Sequence, residues 1–197
     1  MTRSKVNTIF VSVLFMLAIL ERTIWDLGPN VEILTSALIL SSYYLNRKKT
    51  FWFVFTTIAI SDLVLGNTKI FLFTWSGFLI PALIIPQFKL SKIAKGFLGK
   101  NALLISSGVI TNLFFFFWTN FGVWLLDSWG MYSKDVQGLL HCFVNGLPFL
   151  KMQLLSTLIF VNLGLFLMDT AHFFLPFVSY QTSLLLPTKR HRIHARI

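Results

Sequence analysis

The sequence predicts an all-α, polytopic membrane protein with six transmembrane helices and a short re-entrant or amphipathic helix before the last. Three observations predict it. The 197 residues are 55% hydrophobic and only 12% charged, where a soluble domain carries about 25% charged residues. The apolar excess, with a mean hydropathy of +0.73, falls in separate blocks long enough to cross or enter a bilayer. The seventeen Lys and Arg collect in short clusters between those blocks. A net charge of +10 arranged in this way offers no soluble basic face for nucleic acid and points to membrane topology instead.

Taken in order, residues 1–5 are basic, and an uncharged apolar run follows from Val6 to Leu20. No small-x-small cleavage site precedes Glu21-Arg22, so 6–25 is expected to be an uncleaved first span and not a signal peptide. Asp26-Leu27-Gly28-Pro29-Asn30 is a turn by composition. The second span, 31–45, and the third, 51–66, are short for a hydrocarbon core of about 30 Å unless flanking groups snorkel or the bilayer thins. The fourth, 70–88, contains Pro81 and Pro86 and is expected to kink. Residues 89–100, KLSKIAKGFLGK, form a basic linker suited to lie amphipathically on the membrane surface.

The fifth span, 101–126, has no charged residue and exceeds the ~20 residues a crossing needs. Asn112, Thr119 and Asn120 surround its run of phenylalanines, and Trp118 and Trp124 lie toward its far end. Buried amides need hydrogen-bond partners. This span therefore turns a polar face either into a solute cavity or against neighbouring helices. In 127–150, Val136, Leu139, Leu140, Phe143, Val144 and Leu147 recur at spacings of three and four. That periodicity predicts the short re-entrant or amphipathic helix. The sixth span, 152–178, is interrupted by Asn162, Asp169 and His172, with Pro176 near its end, and 189–197 is a basic tail.

With the N-terminus in the cytoplasm, alternating six spans places thirteen of the seventeen Lys and Arg on the cytoplasmic side. Arg22, Lys69 and Lys134 fall opposite, and Lys151 falls at a boundary. The positive-inside rule thus predicts a cell (inner) membrane protein with both termini cytoplasmic.

This topology brings several polar groups toward the extracytoplasmic end. Asn30 and Glu32 open the second span, Asp62 lies near the end of the third, Asn120 and Trp124 near the end of the fifth, and Asn145 in the stretch before the sixth. Amides and carboxylates beside aromatic rings suit a small polar or heterocyclic solute, oriented by hydrogen bonds and stacked on the rings. The plainer alternative is a structural or assembly protein whose polar groups cap helices and hold them together. Asp169 and His172, three residues apart, share one helical face and form a second constellation. Proton relay or an intramembrane enzyme is one use for them; pairing with a basic loop is another. No HExxH, GxSxG or Gly-rich phosphate loop is present, so neither an enzyme nor a cofactor is expected. The single Cys142 excludes an intramolecular disulfide and any CxxC site. Ala37 and Ser41 give small-xxx-small spacing, which fits internal packing or docking to a partner.

Pro29-Asn30 followed by Thr35-Ser36-Ala37, Ser61-Asp62-Leu63, Thr119-Asn120-Phe121-Gly122-Val123-Trp124, and Gly138-Leu139-Leu140 leading to Gly146-Leu147-Pro148-Phe149 carry a resemblance. At these strings the chain resembles a family of small, uncharacterised bacterial membrane proteins. That family in turn resembles the substrate-binding S components of energy-coupling factor (ECF) vitamin transporters. The resemblance implies a six-helix protein in the lipid bilayer that captures a vitamin-like solute outside. It also implies partners, namely a coupling membrane subunit and a pair of cytoplasmic ATPases.

Overall fold

The computed structural model describes residues 2–25, 27–66, 69–94, 96–127 and 130–185, with side chains described to residue 174. The basic tail at 189–197 and Asp26 of the expected turn lie outside the described residues. The described chain is helical throughout, with loops and no strand among those residues.

α1 (Arg3–Leu20) starts on Thr2, whose hydroxyl accepts the Lys5 N–H. It runs on through a π-helical turn, Glu21–Trp25. The following turn uses left-handed backbone at Gly28 and Asn30, residues that tolerate positive φ. α2 spans Leu34–Tyr44. α3 (Arg47–Leu65) is capped by the Asn46 carboxamide, which accepts the Lys49 N–H at 3.0 Å. α4 (Phe71–Ile84) contains Pro81 and tightens into a 3₁₀ turn, Ile85–Phe88, so the proline-rich end of the fourth span is irregular as expected. A left-handed Lys89 then leads into the short α5 (Leu90–Ile93). α6 covers Gly96–Leu126 and α7 covers Val136–Leu185.

The centre of the bundle is α2. Every residue from Leu34 to Ser42 is buried, and the helix packs against α1, α3, α6 and α7. Its apolar side chains meet Val11 and Phe15 of α1, Val54 and Ile58 of α3, Phe78 of α4, Leu104 of α6, and Val161 and Leu165 of α7 in one core. Ser41 and Ser42 return their hydroxyl protons to the Leu38 carbonyl, so neither needs an outside acceptor. Ala37 and Ser41 are fully buried, and the small-residue pair therefore serves internal packing. Outward-facing positions are apolar: Met16, Leu72, Ile110, Phe117, Ile159 and Phe166 are all exposed. A continuous apolar exterior around a packed core matches a lipid environment.

Four helical stretches of the described residues are long and apolar enough to cross a membrane: Arg3–Trp25, Phe71–Ile93, Gly96–Leu126 and Val136–Phe174. The structure departs from the sequence expectation in three places. α2 has 11 residues, a length of about 16 Å at 1.5 Å per residue, so it does not reach across a core of about 30 Å by itself. Its apolar run is a protein core, not a lipid-facing crossing. The basic linker is not one surface helix, because its second half already belongs to α6. The separate re-entrant or amphipathic helix is also corrected. Residues 136–150 are the first turns of α7, which runs unbroken through Pro148. A proline removes one backbone bond, and packing against neighbouring helices holds the rest.

The Asn7 carboxamide of α1 donates to the Tyr44 carbonyl at the end of α2 and meets His172 of α7 at 2.8 Å. Lys100 near the start of α6 pairs with Asp169 of α7. These contacts gather one end of the bundle, the basic end. The turn at 28–30 and the α6–α7 loop lie at the opposite end.

Candidate solute cavity

Glu32 precedes α2 and is clamped to α7. Its backbone N–H donates to Ser156 Oγ at 3.3 Å, and Gln153 Nε2 donates to its Oε1 at 2.9 Å. The Thr35 hydroxyl donates to the same oxygen. Glu32 is 8% exposed, so a carboxylate is held almost dry at the head of the central helix.

α6 supplies the facing wall through residues one turn apart. Thr119 returns its hydroxyl proton to the Phe115 carbonyl at 2.7 Å, and Asn120 Nδ2 donates to the Phe116 carbonyl at 2.8 Å. α7 approaches closely here because Gly146 has no side chain: a Cβ at that position would sit 2.6 Å from Asn120 Oδ1. Cys142 rests in the same contact, its thiol 3.3 Å from the Asn120 carbonyl.

These elements enclose a cavity of about 740 Å³ at the end of the bundle opposite the basic one. Glu32, Gln153, Asn120, Thr119, Asn145 and Asn30 supply polar groups to its lining, and Phe78, Phe115, Phe116 and Phe149 supply rings. Arg22 and Tyr132 also line it.

Four of the residues expected at a site, Asn30, Glu32, Asn120 and Asn145, therefore line this one cavity. Asp62 and Trp124 do not. Asp62 accepts from Trp75 Nε1 at 2.6 Å and pairs with Arg22 Nη2 at 3.3 Å, tying α3 to α4 and to the end of α1. Trp124, in the last turn of α6, holds the α6–α7 loop: its Nε1 donates to the Ser133 carbonyl at 2.9 Å, and Lys134 Nζ lies 5.7 Å from its ring centroid. Lys134 also donates to the Trp124 and Leu125 carbonyls, closing the end of α6. Beside it, Asp135 caps α7. The Gly138 N–H at 2.7 Å and the Ser133 hydroxyl at 2.8 Å hold its carboxyl below the ordinary 3.8.

Gln153, Arg22, Tyr132 and Cys142 were missed as lining residues. Gln153 had a readable signal, a carboxamide within an apolar helix. Arg22 had a weaker one, a charge directly after an apolar run. Nothing local marks Cys142 or Tyr132, which reach the cavity only through the course of α7 and its loop. Asn112, on the same helix as Asn120, is a packing residue. It is fully buried and donates to Thr157 Oγ1 at 2.8 Å and to the Gln153 carbonyl at 3.2 Å.

Asp169 and His172 do not pair with each other. Lys100 donates to both oxygens of Asp169, and His172 meets Asn7. The loop-pairing alternative is the one this geometry follows.

A helical bundle with an apolar exterior and a polar-lined cavity at one end is the architecture of a helical membrane protein. The chain belongs to the family described as Family of unknown function (DUF6580), whose model matches residues 2–175. No curated protein and no solved structure matches the chain. The family match carries no likeness to ECF S components.

Proposed function

We propose that the protein captures a small polar solute in this cavity, from the extracytoplasmic side of the cell membrane, as the binding subunit of an uptake system. The observation that carries the reading is the convergence of Asn30, Glu32, Asn120 and Asn145, from three separated stretches, on one space of about 740 Å³ walled by phenylalanine rings. That volume lies within the ≈ 300–1,000 Å³ of small-molecule sites, and few polar groups among aromatic walls are their usual chemistry. The chain has no ATPase motif, so in this reading active uptake depends on a coupling subunit and ATPases, as the S-component resemblance implies.

The test is thermal stability of the purified protein against vitamins, nucleobases, amino acids and amines. A solute at 100 times its Kd stabilises by about 2.7 kcal/mol. The expected result is a shift that disappears in Asn120→Ala while that variant remains folded. The second reading, a structural or assembly protein, draws on Asp62 and Asn112, whose bonds join helices. It predicts no solute-dependent shift anywhere in the panel.

A further inference from the structure

We infer that the solute is an organic cation carrying N–H donors, with Glu32 as its counter-ion. This rests on the solute-binding reading and specifies its chemistry.

The cavity's polar side chains each spend one donor within the protein. Gln153 gives an amide hydrogen to Glu32 Oε1 at 2.9 Å, and Asn120 gives one to the Phe116 carbonyl at 2.8 Å. Asn145 gives one to Tyr132 Oη at 3.4 Å, and Thr119 gives its hydroxyl proton to the Phe115 carbonyl at 2.7 Å. Each of these three carboxamides keeps one N–H and its carbonyl oxygen, and beside them stand hydroxyl lone pairs and the Glu32 carboxylate. Donors and acceptors are both present, so hydrogen bonding orients the solute and the charge of the lining selects its sign.

The charge balance of the lining carries the assignment. Both side-chain bonds of Glu32 end on Oε1 and come from neutral groups, Thr35 and Gln153. Arg22 is the one cationic side chain of the described residues in the lining, and its guanidinium is engaged by Ser61 at 2.9 Å and by Asp62 at 3.3 Å. Arg22 and Asp62 cancel, which leaves the lining with the negative charge of Glu32. A nearly dry carboxylate that makes no ion pair among the described residues is unfavourable, and a bound cation relieves it. Phe115, Phe116 and Phe149 add ring faces that attract a cation and repel an anion.

The experiment uses three planar probes of one shape: benzamidinium, benzamide and benzoate. Each is titrated against the purified full chain in nanodiscs, with Kd read from the thermal shift. The expected order is cation, then neutral, then anion. Benzamidinium should bind at least about tenfold more tightly than benzamide, the scale of one charge-assisted contact. Glu32→Gln should collapse that preference to near unity. The order in the unsubstituted protein stands by itself if Glu32→Gln fails to fold. Benzamide or benzoate binding as tightly as benzamidinium overturns the cation assignment. If Asn120→Ala abolishes that binding, the cavity reading survives. A cation preference that persists unchanged in folded Glu32→Gln removes Glu32 as counter-ion and overturns the inference. If none of the three binds, the charge of any hit from the broader solute panel decides, a cation supporting and a neutral or anionic solute overturning. No hit in either set overturns both readings.

Discussion

Asp62 and Asn120 have similar sequence signals, a polar residue near the end of an apolar run, and opposite fates. Asp62 lies between an indole N–H and a guanidinium, and its oxygens are taken up within the protein. Asn120 spends one amide hydrogen on its own helix and keeps an oxygen beside the cavity. Sequence alone does not separate them, because the partners, Arg22 and Trp75, lie 40 and 13 positions from Asp62. The two should separate in experiment. Asp62→Asn leaves Arg22 and Trp75 with a weakened acceptor in a half-buried site and should lower stability by about 1–3 kcal/mol. Asn120→Ala should lower it less and act chiefly on solute affinity. Unfolding in mild detergent with and without a bound solute reads both effects. An Asp62→Asn protein as stable as the parent would remove its role as a brace between helices.

At the scale of elements, α6 against α7 is the seam that shapes the cavity, and it depends on absent side chains. A Cβ on Gly108 would meet Thr157 Cγ2 at 2.6 Å. Gly108→Ala should therefore push the helices apart, strain the neighbouring Asn112–Thr157 bond and destabilise by about 1–3 kcal/mol. Thermal unfolding measures it, and an unchanged melting temperature would show that the seam gives way freely. The start of α7 carries a second prediction. The Asp135 carboxyl is held low by the Gly138 N–H and the Ser133 hydroxyl, so its folded-state pKa lies below the unfolded one. The cap is complete above the ordinary carboxylate range and is lost as pH falls through the depressed value. Amide exchange in the first turn of α7 should be slower in the parent than in Asp135→Ala at neutral pH, and the two should converge in acid. A gap that persists at low pH would assign the protection to something other than the carboxylate. Element existence was largely legible, since long uncharged runs fold as helices. The fate of α2 was not, because a helix apolar on every side looks the same whether lipid or protein surrounds it. The continuity of α7 was hidden by Gly146 and Pro148, whose local signal for a break yields to packing.

For the whole molecule, asymmetry is the organising property. Lys5, Arg47, Lys48, Lys49 and Lys100 lie at the end where α1, α3 and α6 begin, and the cavity lies at the other. The short α2 connects these observations. At about 16 Å it covers half of a bilayer core, so the chain ahead of it has to descend toward membrane depth to reach its first turn. Glu32 travels with that descent and is pinned there by Ser156 and Gln153 of α7. The cavity is the space left above it, which explains why a carboxylate and several amides occupy a chain this apolar. If the positive-inside rule sets orientation, the cavity faces out and the basic end faces in. A Cys142→Ser background allows this to be read with single cysteines. Asn30→Cys, at an exposed position on the cavity side, should react with a membrane-impermeant maleimide in intact cells, and Lys48→Cys should react only after permeabilisation. The reverse pattern would place the cavity on the cytoplasmic side. Capture from outside would then be impossible, and the same donors, rings and carboxylate would have to serve an intracellular solute.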